Sequence, residues 1–365
     1  MRSQRFIFGL LGLAIGVASI WAMVQSQQVE KTSGQVQQET YVSKVVIQAP
    51  WGAKNLVYDK EESKLGEFGY YHYQVPESLK MVVDAGLPEG PSAFTVAPNG
   101  DIYITDPLNY RVQRFSSEGQ FISVIPGIQR KVWDWKDICV DENNNIYLLW
   151  DEQRPIVHVG KYDQSGKLLL TYSVTGVQRL GGAAPHIFCD NKGGLFIEFI
   201  YTKKGEKQSY PSIFQIGTSE REFTEEEQKN TIRRGSIQTG GLSPDTLYLD
   251  EFTLGGGLIA QYDSKGNKIK EFPTSVTGSF IARDETGRIY TRSTSQDKID
   301  RSLFSTILKK YDQNGNLLLT LEWKRKIGSC PSSTVENSTI VDKKGNIFKY
   351  CATQDGLTIT KWYKQ

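Results

Sequence analysis

The chain has 365 residues, with 43 basic and 41 acidic side chains and a formal net charge of +2 at pH 7. That length suits two ordinary domains or one large all-β domain. The near-neutral balance leaves no global field pointing to nucleic acid or a polyanionic surface. With 34 Gly, 18 Tyr and 16 Phe against 3 His and 3 Met, the composition favours turns and strands over helices.

In chain order the first element is Phe6 to Val24, 19 residues without a charge, preceded by Arg2 and Arg5. As a helix it is long enough for a hydrocarbon core of roughly 30 Å. The preceding arginines favour an N-terminus inside, with everything downstream outside. Residues 1–24 are therefore read as a membrane anchor, or as a signal segment cut near Val24-Gln25-Ser26. No Cys directly follows the apolar run, so no lipid-attachment site is expected. Gln25 to Thr40 lacks apolar periodicity and reads as a flexible linker. The globular part, 41–365, is expected to begin at Tyr41.

Downstream, one short pattern recurs. "APNGDIYI" (Ala97–Ile104) is echoed by "DENNNIYL" (Asp141–Leu148), "DNKGGLFI" (Asp190–Ile197), "DETGRIYT" (Asp284–Thr291) and "DKKGNIFK" (Asp342–Lys349), with a weaker copy, "SPDTLYLD" (Ser243–Asp250). Marked at Gly100, Asn144, Gly193, Asp245, Gly287 and Gly345, the spacings are 44, 49, 52, 42 and 58 residues. Such a period is the signature of a propeller or solenoid array. Four copies carry a second turn: Ser116–Phe121, Asp163–Leu168, Asp263–Lys268 and Asp312–Leu317. Each unit thus reads as strand, tight turn, strand, variable loop, strand, tight turn, strand, which is one four-stranded propeller blade. The expectation is an all-β, six-bladed β-propeller preceded by an N-terminal hydrophobic helix. The last copy shows only three strand-like stretches, and Ser43–Ala49 is expected to supply its fourth strand and close the ring.

Within the first copy, Gly90-Pro91, Asn99-Gly100, Ile102-Tyr103, Asp106 and Asn109-Tyr110-Arg111-Val112-Gln113 resemble an NHL repeat, the unit of six-bladed β-propellers. The other copies lack the Asn-x-Arg-apolar-Gln element, so the chain resembles a divergent member. The resemblance implies fold far better than function, because that family includes both interaction modules and enzymes.

Strand alternation puts the tight turns on one face and the remaining loops on the other. The long loops expected there are Pro126–Lys136, Tyr201–Pro211, Gly217–Gly235, Ser293–Ser302 and Lys324–Glu336. Long loops on a rigid scaffold are where binding usually resides. Arg130, Lys131, Trp133, Trp135, Arg179, His186, Arg233, Arg234, Lys324 and Arg325 are the candidate partner-binding residues, Arg and Trp being enriched at interaction hot spots. The same charges also read as solvated loop residues offset by Asp134, Asp137 and Glu225–Glu227. Asp106 and Arg111 are expected to form a structural ion pair.

Enzymatic motifs are missing. No GxSxG, HExxH, P-loop or CxxC occurs, and His72, His158 and His186 stand in different contexts, with only His186 entering a first strand at the channel mouth. The Asp-x-Asn-x-Asn run at Asp141 lacks the downstream Glu of a calcium loop and is better explained as a blade turn. The reading is an exported, membrane-tethered binding module for a protein, peptide or glycan, with no cofactor and no nucleic acid. The alternative is a calcium-dependent lactonase or lyase with its Ca2+ in the central channel.

Four Cys in an extracytoplasmic chain suggest disulfides. Cys330 and Cys351 fall at the same end of one blade and are expected to pair. Cys139 and Cys189 sit in first strands of neighbouring blades, on opposite sheet faces that can meet in a bridge, and are read as buried free thiols over that bridge.

Overall fold

A computed structural model of the chain describes residues 39–52, 68, 71–72, 88–126, 135–153, 156–174, 186–190, 192–201, 210–234, 246–253, 256–263, 267–273, 276, 278–297, 303–326, 339–353 and 356–365. Strand β1 (Tyr41–Pro50) is followed by the two-residue strands β2 (Tyr71–His72) and β3 (Pro88–Glu89), which pair with each other. The first blade is then β4 (Phe94–Val96), β5 (Ile102–Asp106), β6 (Arg111–Phe115) and β7 (Phe121–Ile125). The second is β8 (Trp135–Val140), β9 (Ile146–Gln153), β10 (Ile156–Tyr162) and β11 (Leu168–Val174). The third is β12 (His186–Cys189), β13 (Gly194–Tyr201), β14 (Tyr210–Thr218) and β15 (Arg233–Arg234), with helix α1 (Glu225–Asn230) between its last two strands.

A three-stranded sheet follows: β16 (Thr246–Thr253), β17 (Gly256–Asp263) and β18 (Lys268–Glu271). The next four-stranded blade is β19 (Ser279–Arg283), β20 (Ile289–Gln296), β21 (Leu303–Tyr311) and β22 (Leu317–Lys326). The closing blade takes β23 (Thr339–Val341), β24 (Ile347–Thr353) and β25 (Gly356–Lys364) from the C-terminal side. Its outermost strand is β1, paired antiparallel with β25 from Tyr41↔Lys364 to Pro50↔Gly356. Ring closure by the N-terminal strand thus occurs where Ser43–Ala49 was expected to supply it.

The architecture is an all-β propeller. Against six four-stranded blades, the described residues form five, and the weak copy at Asp245 yields the three-stranded sheet. Its first strand would fall in residues 235–245, outside the described residues. The expected N-terminal helix, Phe6 to Val24, also lies outside them. Among the described residues no helix is long and apolar enough to cross a membrane.

Blade packing explains the strand compositions. First strands of successive blades face one another around the axis, as β4 with β8, β8 with β12, and β19 with β23. Inner and middle strands are covered on both faces by neighbouring blades, so alternation disappears: all five residues of β5 are buried. Outer strands regain exposure, as β7 does at Phe121 and Ile122. The cores accordingly lie between blades. Ile102, Ile104 and Phe115 pack with Phe348, Tyr350 and Ile359 of the closing blade, and Tyr103 and Val112 pack with Trp135, Ile138 and Leu148 of the second. One fully buried side chain in such a seam, such as Ile104 or Leu148, contributes roughly 1.5–3 kcal/mol.

The seam between blades two and three holds a correction. Cys139 and Cys189 are not free thiols but a disulfide, with a Cα–Cα distance of 6.0 Å. Facing first strands of adjacent blades approach closely enough for the geometry a bridge needs. Cys351 is also disulfide-bonded. Its expected partner Cys330 lies outside the described residues.

Candidate functional site

The two ends of the propeller are built differently. At the tight-turn end several turns are organised by their own leading side chain. The Asp141 carboxylate accepts from the backbone N–H of Asn143 (2.9 Å) and Asn145 (2.8 Å), the Asn145 amide (2.8 Å) and the Tyr147 hydroxyl (3.1 Å). This engages both of its oxygens and accounts for the Asp-x-Asn-x-Asn run without a calcium ion. Asp284 repeats the arrangement with Thr286, Arg288 and Tyr290. Burial, reinforced by the Asp141 charge, pushes the Tyr147 hydroxyl well above the usual phenol range. Asp312 is held below the ordinary carboxylate range: burial opposes this, but hydrogen bonds from Asn316 and the turn's backbone N–H groups prevail.

Both described chain ends leave from this same end. Gln365 donates its backbone N–H to Thr40 O at 3.2 Å, next to the Tyr41↔Lys364 pair. Strand β1 therefore begins at the tight-turn end.

At the opposite end lie the connections that join one blade to the next and second strands to third strands. The longest is 51–93, between β1 and β4, which the sequence reading did not count among the loops. Phe68 pins it: its backbone bonds Pro50 O and Gly52 N, and its ring stacks on Phe115 at 6.2 Å. Two polar clusters mark this end. The buried Asp106 carboxylate accepts from Arg111 Nε at 2.8 Å and from the Asn109 amide at 2.9 and 3.0 Å, fixing the short turn between β5 and β6. Asp137, near the start of β8, accepts from Ile138 N (2.9 Å) and, across the seam, from Ile187 N (3.0 Å) and His186 Nδ1 (3.2 Å). Buried Glu198 stands opposite His186 in the β12–β13 ladder. An imidazole held through Nδ1 has its tautomer and ring plane set by that partner.

The candidate residues scatter around this frame. Arg130, Lys131, Trp133 and Arg179 lie outside the described residues. Trp135 is 1% exposed in β8 and belongs to the core between the first two blades, so it is not part of a surface. The strand begins two residues earlier than the loop assignment assumed, which takes Trp135 into the blade. Arg233 and Arg234 form β15, the outer strand of the third blade, paired with Ile213 and Ser212. Lys324 and Arg325 are in β22, paired with Ser305 and Phe304; Lys324 is exposed. These outer-strand residues stand toward the long-connection end, whereas His186 is on an innermost strand, so the structure does not gather them into one site. The segment 219–232 is also corrected: it joins a third to a fourth strand and so lies at the tight-turn end. Its helix is closed by a capping box between Thr224 and Glu227.

Asp137 and Glu198 were not named as site residues from sequence. The available signal was an acidic residue inside an otherwise apolar strand, as in "WKDICV". Among the described residues, no group of three His, Cys, Asp or Glu side chains is arranged to hold a metal ion.

No family model matches the chain, and no curated protein matches it. Solved structures do. A gluconolactonase from Xanthomonas campestris is 14% identical over 73% of this chain and 83% of its own, with a TM-score of 0.41. Virginiamycin B lyase from Staphylococcus aureus is 11% identical over 75% and 95%, TM-score 0.39. The calcium-binding protein regucalcin from Agrobacterium tumefaciens is 12% identical over 75% and 91%, TM-score 0.39. Similarities at this level carry no statement about activity.

Proposed function

We propose that this chain is an exported, membrane-tethered, divergent NHL-like six-bladed propeller that binds a protein, peptide or glycan partner through its long-connection end. The observation that carries the reading is the asymmetry of the two ends. One holds the start of β1 and is closed by turns whose carboxylates are engaged internally. The other carries the variable connections on rigid strands. The Cys139–Cys189 disulfide supports export, because such bridges persist in oxidising compartments. The sixth blade is supported by packing: Ile259 of the three-stranded sheet shares a core with Phe280, Ile289 and Tyr311 of the next blade. The basic residues Arg233, Arg234, Lys324 and Arg325 are proposed to contribute at the rim of that end, and His186 at its axis.

Site-specific photo-crosslinking in the native envelope tests the reading. A photoreactive residue at Lys324 is expected to capture a partner, and one at Ser165, in a tight turn, is expected not to. Capture from Ser165 alone, or from neither position, refutes the assignment of the face. Stoichiometric calcium in the purified chain, lost together with a hydrolase or lyase activity on chelation, replaces it with the enzymatic alternative.

A further inference from the structure

The last residues before β1 carry an arrangement that neither the turns nor the long connections use. Lys310, in the third strand of the blade preceding the closing one, has a side chain only 2% exposed. Its ammonium lies 2.6 Å from Glu39 Oε2 and donates to the Tyr41 hydroxyl at 2.8 Å. It also stands over the rings of Tyr41 and Tyr290, 5.2 and 5.4 Å from their centroids. The other Glu39 oxygen takes Lys364 at 3.0 Å and Arg288 at 3.2 Å, while the Glu39 backbone N–H donates to Leu318 O at 3.0 Å. The Glu39 side chain is 7% exposed. One carboxylate thus ties three elements together: the N-terminal segment, β25 of the closing blade through Lys364, and the preceding blade through Lys310 and Arg288.

This matters because β1 is held differently from every other outer strand. The strands β7, β11 and β22 each follow their blade's third strand through a short turn, so they cannot drift far. No such turn joins β1 to β25: the two strands come from opposite ends of the chain and meet only through their ladder and through contacts like these. A buried ammonium that loses its carboxylate is strongly destabilising, more so than replacing the pair by apolar groups.

We propose that Glu39 is an electrostatic latch on ring closure. With its carboxylate charged, β1 is locked onto the closing blade, and with it neutral, β1 becomes the first segment of the propeller to open. The charged and titratable groups facing the carboxylate are Lys310 from β21, Lys364 from β25 and Arg288 from the turn before β20. Tyr41 and Tyr290 flank Lys310, and Tyr290 is bonded to Asp284 at 3.0 Å. Burial acts to raise Glu39, but hydrogen bonds from Lys310 and Lys364 and the charges of Lys310 and Arg288 hold it below the ordinary carboxylate range. A carboxylate depressed in the folded state stabilises above its unfolded value, and that contribution is lost as pH falls through the folded one. The latch is therefore shut at neutral pH and released by acid.

Hydrogen exchange on the full chain, read segment by segment, tests this. Glu39→Gln at neutral pH is expected to speed exchange of β1 by roughly ten-fold or more, leaving β7, β11 and β22 unchanged. Lowering the pH of the wild type stepwise below about 4, past the ordinary carboxylate range, should bring β1 toward the same behaviour after correction for intrinsic rates, with Glu39→Gln responding much less. Adding Lys310→Met to Glu39→Gln should restore protection, since Met needs no partner. The double variant and the acid series also cover the case in which Glu39→Gln alone fails to fold. Unchanged β1 exchange in Glu39→Gln, or equal loosening of all outer strands, overturns the latch. So does an absence of rescue by Lys310→Met.

Discussion

Within a single blade, the first and second tight turns look alike in sequence and are not alike in the structure. Both open with a side chain that bonds the backbone ahead, as Asp141 does in a first turn and Asp163 in a second. Both usually place Gly in the left-handed region. The difference is what lies behind that Gly. In the first turn of the first blade, a methyl added at Gly100 would meet only Ser117 Cβ at 3.5 Å, an ordinary contact. The second blade even uses Asn144 there, at φ 59°. In the second turns, Gly119 and Gly166 sit directly on the outer strand of the preceding blade, and a methyl would overlap the carbonyl oxygens of Val46 and Pro126. The third blade does the same job without a tight turn. Its α1 segment reaches the second blade's outer strand with side chains, Glu222 accepting from Ser173 N and Gln228 donating to Ser173 O. In the first two blades the second turn carries the tighter packing on the neighbour, while first turns also touch across a seam, as Glu285 N does on Lys343 O.

The largest expected effect follows from that contact. Gly166→Ala adds overpacking to left-handed strain and should destabilise by roughly 3–5 kcal/mol in chemical denaturation. A loss below about 1 kcal/mol would show that the seam yields easily. Next comes the internal chemistry of a first turn. Asp141→Ala removes the acceptor for two backbone N–H groups and one partner of the buried Tyr147 hydroxyl, with an expected loss of about 2–4 kcal/mol. An Asp141→Asn variant that retained most of the stability would show that the turn bonds matter more than the charge. Gly100→Ala should then lose only the conformational part, about 1–2 kcal/mol, and a loss matching Gly166→Ala would erase the distinction between the turns.

The smallest effect sharpens the comparison between two first turns. Tyr147 and Tyr290 bond the Asp six residues before them, but the first blade has Ala97 in that place, and the buried Tyr103 hydroxyl has no hydrogen-bond partner within bonding geometry among the described residues. Gln164, which donates to Asn144 O and accepts from Arg114, stands near it. Tyr103→Phe should therefore be neutral or slightly stabilising, by up to about 1 kcal/mol, where Tyr147→Phe loses about that amount. Ala97→Asp should supply the missing acceptor and raise the melting temperature. Equal losses for the two Tyr→Phe variants would mean that the Asp–Tyr bond contributes nothing to stability.

The propeller was legible in the sequence because each blade is written locally. Turn residues at fixed offsets and apolar runs between them depend on neighbours a few positions away, and the repeat makes the pattern visible several times over. Ring closure was legible for the same reason, since three strands at Thr339–Lys364 leave one ladder unfilled and Ser43–Ala49 is the best candidate on the N-terminal side. What the chain could not announce were contacts between blades. The approach of Cys139 to Cys189, the burial of Trp135 and the reach of Asp137 to His186 each join residues in different repeats. So does the capture of Glu39 by Lys310. Their distance is set by how twisted sheets pack around an axis, and that is decided only when the tertiary structure closes.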